Sequence, residues 1–222
     1  MTPQGLTTVY ERLLTEYGRQ HWWPAEERFE ILVGAVLTQN TSWTQVEKAI
    51  ATLRSVRCLT PEALLARTAV ELGELIRPAG YYNVKARRLQ ALCHWFVESG
   101  GFAALESCPT ESLRRGLLQV HGVGPETADS ILLYAFSRAV FVIDAYTQRL
   151  FSRLGLIAGP MPYEALRAAV ESHWPAGGSV DQYGEYHALI VAHAKHICRP
   201  RPHCSSCVLA HQCRHARANS VS

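Results

Sequence analysis

Four of the seven cysteines are grouped near the end of the sequence, with gaps of five, two and five residues: Cys198, Cys204, Cys207 and Cys213. Four thiolates in one short loop provide a tetrahedral set of soft ligands, which suits a structural zinc ion or a [4Fe–4S] cluster. Pro200 and Pro202 prevent a helix in the first gap, so the loop must fold around a bound group that replaces a hydrophobic core. The spacing predicts a metal centre and leaves both zinc and iron–sulfur open.

A glycine turn and a later carboxylate form a second group of candidates. Gly122 and Gly124 separate two helical segments, and glycine allows the backbone to turn tightly and to approach a partner closely. The helix that follows presents N–H groups at its positive end, where phosphate binds without regard to sequence. Asp144 follows the apolar pair Val142 and Ile143 and begins another helix. It is therefore predicted to be an N-cap, a position that is compatible with catalysis if the carboxylate faces a cleft.

The elements that must position these residues are helices. Apolar residues recur three and four positions apart in ten segments: Leu6–Tyr17, Glu26–Gln39, Thr44–Leu53, Pro61–Ala66, Val84–Val97, Glu111–Leu118, Glu126–Phe136, Ala145–Leu154, Tyr163–Trp174 and Tyr183–His196. The sequence contains no alternating strand pattern of useful length. It therefore predicts an all-α protein.

Composition narrows the class of protein further. With 222 residues, of which 48% are hydrophobic and 18% charged, the chain has the composition of a folded globular protein, which excludes disordered, collagen-like and small disulfide-rich proteins. No segment approaches the roughly 20 apolar residues of a membrane span. The stretch from Met1 to Leu14 lacks the basic start and apolar core of a secretory signal, so a cytoplasmic protein is expected. The formal net charge of +3 permits a polyanionic partner without requiring one.

Taken together, five segments resemble the endonuclease III superfamily of base-excision DNA glycosylases, the helix-hairpin-helix (HhH-GPD) proteins. They are Leu37–Thr41 (LTQNT), Gly80–Ala86 (GYYNVKA), Gly122–Ala128 (GVGPETA), Val142–Asp144 (VID) and the four grouped cysteines. The LTQNT segment and the Trp-Trp-Pro sequence at residues 22–24 are similar to the 3-methyladenine DNA glycosylase III branch of that superfamily. Members of that branch often lack the cysteine cluster, so this chain combines two patterns.

The resemblance implies a two-lobed fold. A six-helix barrel domain is expected over residues 25–135, with the helix-hairpin-helix at about 110–136. The second lobe is expected to comprise residues 1–24 and 136–222 and to carry the cysteine loop 198–213. In the family these cysteines bind a [4Fe–4S] cluster, so the resemblance favours iron–sulfur over zinc. The family's first cysteine gap is six residues, and this chain has five.

The resemblance also implies roles for individual residues. The expected partner is double-stranded DNA with a damaged base, bound by a monomer that associates with the nucleoid through this DNA. Gln39 matches the residue that fills the hole left by the flipped base, and Asn40 lies beside it in the sequence. The DNA backbone is expected on Gly122, Val123, Gly124 and Thr127. Asp144 is expected to carry the chemistry.

Glu126 is a departure from the family pattern. Bifunctional members have a lysine at this position, which attacks the sugar C1′ and forms a Schiff base. A carboxylate does not form an imine, so plain hydrolysis of the N-glycosidic bond is expected, with little or no lyase activity. An alkylated purine leaves readily because it is positively charged, and Trp22 and Trp23, fixed by Pro24, offer a face on which such a base could stack. Lys195 matches the general location of a pocket lysine in the alkylation branch.

Several alternatives stay open at this stage. The two tryptophans could instead pack the N-terminal helix onto the bundle, and Lys195 could contact phosphate at the surface. One rival function is a bifunctional endonuclease III-type glycosylase/lyase acting on oxidised pyrimidines, which would need another amine such as Lys195. A second rival is a lesion-binding protein that has kept the fold and lost the activity.

Overall fold

Thirteen α-helices and four short 3-10 helices account for the secondary structure of the computed structural model, which describes residues 1–219. The α-helices are α1 (Pro3–Tyr17), α2 (Arg28–Leu37), α3 (Trp43–Ser55), α4 (Pro61–Leu65), α5 (Ala69–Leu75), α6 (Tyr82–Glu98), α7 (Gly101–Leu105), α8 (Thr110–Gln119), α9 (Pro125–Ala135), α10 (Ala145–Leu154), α11 (Tyr163–His173), α12 (Val180–His196) and α13 (Arg214–Asn219). The 3-10 helices are Arg77–Ala79, Pro175–Gly177, Cys204–Ser206 and Ala210–Gln212. These residues contain no β-strand, which confirms the all-α prediction.

All ten helices predicted from periodicity are present. Helices α5, α7 and α13, which have seven, five and six residues, were not predicted. Helices of this length show little of a repeating apolar face, and the equally short α4 has a proline at its start as an additional signal. One of them, α5, is instead set by a capping box, in which the Thr68 side chain accepts a hydrogen bond from Glu71 N and the Glu71 side chain accepts one from Thr68 N.

The chain divides into two compact units. One unit comprises residues 23–138, and the other comprises residues 1–22 together with 139–222. The sequence predicts boundaries at 24/25 and 135/136, whereas this division places them at 22/23 and 138/139. The unit 23–138 contains α2 to α9, so its described part has eight α-helices where the resemblance implies six.

The centre of the unit 23–138 is helix α2. Every residue from Phe29 to Leu37 is buried, so this helix is enclosed on all sides, and it packs against α3, α6 and α9. It ends where the segment Thr38–Thr41 leaves the core. The core therefore places this segment at a fixed point beside α6 and the α8–α9 turn.

The other unit is built around helix α12, which packs against α1 and α10. Tyr183 and Tyr186 of α12 are fully buried in an aromatic cluster with Phe141, Trp174 and Tyr10. Such edge-to-face contacts add to the stability given by buried area alone. They fix α12, which carries His187 and His193 on its buried side.

Among residues 1–219, no helix is long and apolar enough to cross a membrane.

Candidate active site

Asp144 is the N-cap of α10 and is held by two kinds of partner. Its Oδ1 accepts hydrogen bonds from Thr147 N at 2.7 Å and Thr147 Oγ1 at 2.8 Å, which agrees with the N-cap prediction. The other oxygen, Oδ2, lies 3.5 Å from His187 Nε2 on α12. The carboxylate is only 8% exposed, and it follows the buried residues 140–143.

The surroundings of Asp144 favour its ionised form. Burial alone would raise its pKa, but His187 and the hydrogen bonds from Thr147 outweigh burial, so that the pKa lies below the ordinary aspartate value. Asp144 is therefore an anion at neutral pH. The stability that these contacts provide is present above the ordinary pKa and is lost as pH falls through the lowered one.

The predicted glycine hairpin is the turn between α8 and α9. Gly122 has φ +85°, and a Cβ built on it would lie 2.3 Å from Arg88 Cγ, so only glycine fits there. Gly124 has extended backbone and nothing within 4 Å of a built Cβ. The turn is thus closed on the Gly122 side and open on the Gly124 side, where α9 begins at Pro125.

The two helices that flank the hairpin are joined by a buried ion pair. Arg114 Nε of α8 donates to Asp129 Oδ1 of α9 at 2.6 Å, and Arg114 Nη2 donates to Asp129 Oδ2 at 3.0 Å. The two side chains are 8% and 0% exposed. This two-point contact fixes the direction in which α9 leaves the turn.

Hairpin side chains differ in their exposure. Glu126 is exposed in the first turn of α9, and a negative charge is favoured there by the helix dipole. Val123 and Thr127 are buried. Because Val123 N also donates to Val120 O at 3.0 Å, its N–H is used within the turn.

Gln39 lies against this hairpin. Its Nε2 donates to Gly122 O at 3.0 Å and to Thr127 Oγ1 at 2.9 Å, while its Oε1 accepts a hydrogen bond from Arg88 Nη1. The side chain is half-buried, whereas the neighbouring Asn40 is exposed and has φ +52°. The structure therefore brings Gln39, Gly122 and Thr127 together at one place.

Trp23 packs within the unit 23–138. Its ring contacts Trp43 edge-to-face at 5.1 Å and Tyr134 at 5.3 Å between centroids, and a Cβ built on Gly34 would lie 3.1 Å from it. Trp22 belongs to the other unit and is half-buried, and Pro24 is exposed. Lys195 is exposed in the last turn of α12.

The four grouped cysteines line one pocket. Burial, and then the neighbouring Cys213 and Cys198 thiols, raise the pKa of Cys204, so the thiols are close enough to interact. Among residues 1–219, no three His, Cys, Asp or Glu side chains are arranged to hold a metal ion. The donor type, four thiols at one pocket, suits either a zinc ion or a [4Fe–4S] cluster.

Arg153 and His193 also line this pocket. Arg153 Nη1 lies 3.3 Å from Cys198 Sγ, and Arg153 donates to the carbonyl oxygens of Arg199 at 2.6 Å and Pro200 at 2.9 Å. The buried His193 lies 3.6 Å from Cys207 Sγ through Nε2, and its Nδ1 contacts Tyr17 Oη at 2.8 Å. Burial lowers the pKa of His193 to about 4, so it is neutral at neutral pH, and the Arg153 guanidinium is the positive charge that favours ionised, ligating thiolates.

Three residues of these sites were missed from the sequence: His187, Lys85 and Arg88. His187 is 43 positions from Asp144 in the sequence. Its spacing relative to the apolar residues of α12 indicates only that it lies on the buried face of that helix. A buried ammonium at Lys85 had no local signal, because lysine is usually exposed. The GYYNVKA segment contains Lys85 and was the available clue.

Comparison with known proteins agrees with this geometry. The family model described as HhH-GPD superfamily base excision DNA repair protein matches residues 33–176. A Methanocaldococcus jannaschii protein, MJ1434, whose name assigns it provisionally to the DNA repair glycosylases, is 47% identical over 208 residues, which cover 92% of this chain and 94% of that protein. Endonuclease III of Thermotoga maritima is 30% identical over 190 residues, covering 85% of this chain and 84% of that protein.

Solved structures show the same fold. The H. pylori 3-methyladenine DNA glycosylase bound to 1,N6-ethenoadenine is 28% identical, with a TM-score of 0.72 over 88% of this chain and 98% of that one. A trapped endonuclease III–DNA covalent intermediate is 24% identical and has a TM-score of 0.85 over 99% of both chains, which concerns the fold alone. By its sequence match and its helical fold, the chain belongs to the endonuclease III-like, HhH-GPD superfamily of base-excision DNA glycosylases.

Proposed function

We propose that this protein is a monofunctional glycosylase that hydrolyses the N-glycosidic bond of an alkylated purine in duplex DNA. The observation that carries the proposal is Asp144, a mostly buried carboxylate held as an anion by Thr147 and His187. A fixed negative charge of this kind stabilises a positively charged sugar without reorganising during the reaction.

Asp144 has two successive roles in this proposal. As the bond from C1′ to the base nitrogen breaks, its electron pair leaves with the base and the sugar becomes an oxocarbenium-like cation, which the carboxylate stabilises. Water then adds to C1′, and its proton passes to the carboxylate. Oδ1 already accepts two hydrogen bonds from Thr147, so Oδ2, which lies 3.5 Å from His187 Nε2, is the oxygen proposed to act on the sugar or the water.

We expect little or no lyase activity, because the lysine that forms a Schiff base with the sugar in bifunctional members is absent from its position in this chain. The position of the family lysine holds Glu126, and the sequence has three lysines, Lys48, Lys85 and Lys195. Lys85 is 1% exposed and donates three hydrogen bonds, so it is not placed to attack a sugar. Lys48 and Lys195 are exposed on α3 and α12. Of these two, Lys195 matches the general location of a pocket lysine in the alkylation branch, so it is the amine proposed for any lyase reaction.

DNA is proposed to bind through the hairpin and the segment that carries Gln39. The open side of the turn at Gly124 and the positive end of α9 suit a backbone phosphate, together with Gly122, Val123 and Thr127. Gln39, with Asn40 beside it, is proposed to fill the space of the flipped base, which offsets part of the cost of unstacking. For that, Gln39 must exchange its present contacts with Gly122 O and Thr127 Oγ1 for contacts with DNA. The protein is proposed to act as a monomer on double-stranded DNA.

An alkylated purine is the proposed substrate because its positive charge makes the base a good leaving group, so that one carboxylate suffices. Trp22, Trp23, Pro24 and Lys195 are proposed as the residues that contact the damaged base. The packing of Trp23 against Trp43 and Tyr134 favours a supporting position for this ring, which leaves Trp22 as the stronger candidate for stacking.

The cysteine pocket is proposed to hold a [4Fe–4S] cluster on Cys198, Cys204, Cys207 and Cys213. The cluster would cross-link a loop that has little hydrophobic core, and it takes no part in the reaction at Asp144. Arg153 would support it by binding the carbonyl oxygens of residues 198–200 in the first gap.

The test is a single-turnover incubation with duplex DNA that carries one lesion, 3-methyladenine in one set and thymine glycol in the other. Free base is measured first, and strand breaks are measured before and after hot alkali. Release of methylated purine, with breaks only after alkali, is the expected result. Spontaneous nicking of thymine-glycol DNA, with a borohydride-trapped adduct that is lost in Lys195→Met, would replace the proposal by a bifunctional enzyme. Tight binding of abasic DNA with no base released would indicate a lesion-binding protein instead.

A further inference from the structure

Lys85 is a buried cation that the proposed chemistry does not use. It lies on α6, is 1% exposed, and donates hydrogen bonds to Leu37 O at 2.9 Å, Thr41 Oγ1 at 2.7 Å and Ala79 O at 2.7 Å. Thr41 Oγ1 also donates to Ala79 O. The ammonium thus joins the end of α2, the segment after it, and the 3-10 helix Arg77–Ala79.

These acceptors explain why a cation is placed here. The carbonyl of Leu37, the last residue of α2, has no partner further along the helix, and the C-terminal end of a helix carries partial negative charge. Burial, and then the Arg88 guanidinium, lower the pKa of Lys85 to about 8, while the three acceptor oxygens favour the protonated form. A buried ammonium is costly, and a well-packed apolar side chain would often be at least as stable. What the ammonium adds is a fixed arrangement of three separate segments, because each of them provides an acceptor oxygen to the same group.

The segment that Lys85 fixes is the one that carries Gln39. Asn40 has φ +52°, a left-handed conformation that non-glycine residues adopt when their surroundings impose it. Lys85 holds the segment on both sides of this residue, at Leu37 and at Thr41. Arg88, one turn further along α6, holds the Gln39 side chain. Lys85 therefore determines where Gln39 lies relative to the hairpin.

We propose that Lys85 is a positioning residue for lesion recognition: its ammonium holds the segment Thr38–Thr41 so that Gln39 enters the DNA where a base has left the stack. This inference rests on the proposed function, because it assumes that Gln39 fills the space of the flipped base. Lys85 itself touches neither DNA nor the reacting atoms.

The experiment uses the full chain and two duplexes, one undamaged and one with a tetrahydrofuran abasic-site analogue next to a fluorescent 2-aminopurine. Affinity for each duplex and the change in 2-aminopurine fluorescence on binding are measured for Lys85→Met. The matched control is Lys48→Met, because Lys48 is exposed on α3. Because a displaced Gln39 loses its contacts in the vacated space, we expect Lys85→Met to bind the abasic duplex about tenfold more weakly and to lose the fluorescence change. Lys85→Met should bind the undamaged duplex with wild-type affinity. The control Lys48→Met should bind both duplexes with wild-type affinity.

A second pair of variants keeps the test decisive if Lys85→Met does not fold. Thr41→Val removes the hydroxyl that Lys85 contacts, and Thr41→Ser retains it, so the first should weaken abasic binding and the second should restore it. A folded Lys85→Met, or Thr41→Val, that preserves both the preference for abasic DNA and the fluorescence change overturns the inference alone. A wild-type protein that does not prefer abasic DNA defeats the inference together with the proposed DNA binding, and the two outcomes are thereby distinguished.

Discussion

Replacing Asp144 by asparagine and by alanine separates its structural role from its chemical role. Asparagine keeps an oxygen that accepts from Thr147 N and Oγ1, the two contacts of 2.7 and 2.8 Å, and it is as good an N-cap as aspartate. Alanine removes both contacts. The cap is therefore retained in one variant and lost in the other, while the negative charge is lost in both.

The expected magnitudes follow from these contacts. Loss of an N-cap costs about 1 kcal/mol, so Asp144→Ala should lower the free energy of unfolding by that amount. In a chain of this length this corresponds to a fall in Tm of roughly 2–4 °C. Asp144→Asn should stay near the wild-type Tm. A positioned acid–base group contributes about 10²–10⁴-fold in rate, so both variants should lose base excision by about this factor.

The assay combines thermal unfolding with single-turnover release of methylated purine at saturating enzyme. Asp181→Asn is the matched control, because Asp181 also lies in the first turn of a helix and its side chain is 64% exposed. It should retain the wild-type rate. If Asp144→Asn releases base at more than about a tenth of the wild-type rate, Asp144 is only a cap and the reasoning is refuted.

Three further predictions concern the contacts around the site. In His187→Gln, the acid limb of the pH–rate profile should move to higher pH, because burial raises the pKa of Asp144 and the opposing effect of His187 is removed. Arg114→Met should lower the free energy of unfolding by about 3–5 kcal/mol in a urea titration, because it leaves Asp129 buried without its ion-pair partner. The double change Arg114→Met with Asp129→Leu should recover much of this loss, and an additive result would contradict the explanation. Cys204→Ser should lose iron, sulfide and visible absorption from the purified protein, whereas an unchanged iron content would exclude Cys204 as a ligand.

The features that could be predicted from the sequence are those encoded by neighbouring residues. The period of apolar residues indicated ten helices, and the position of Asp144 after Ile143 predicted the observed N-cap. Helices α5, α7 and α13 were missed because five to seven residues show little of a repeating pattern, whereas the equally short α4 begins with Pro61, a start signal. The site contacts depend instead on residues far apart in the chain. No spacing indicates that His187 meets Asp144, or that Lys85 reaches back to Leu37.

Gln39 is another residue whose contacts could not be predicted from its neighbours in the sequence. Its residue type and position suggested insertion into DNA, and this stays a prediction. The structure adds that its amide already binds Gly122 O, Thr127 Oγ1 and Arg88. Those partners lie on three different segments, and only the packing of α2 against α6 and α9 brings them to one point.

Two of the buried charges, the Asp144 carboxylate and the Lys85 ammonium, lie against helix ends, and their signs suit the dipoles of those helices. The anion Asp144 is at the N-terminal end of α10, where Thr147 N donates to it, and the Lys85 ammonium, which α6 carries, reaches the C-terminal end of α2, where Leu37 O accepts from it. Each end supplies backbone groups that have no partner within the helix and a partial charge of the opposite sign. A helix end therefore lowers the free-energy cost of burying a charged side chain that must keep one orientation. In the proposed reaction Asp144 must stay ionised beside anionic DNA. The backbone N–H groups of α10 stabilise its charge and, unlike a mobile cation, cannot dissociate.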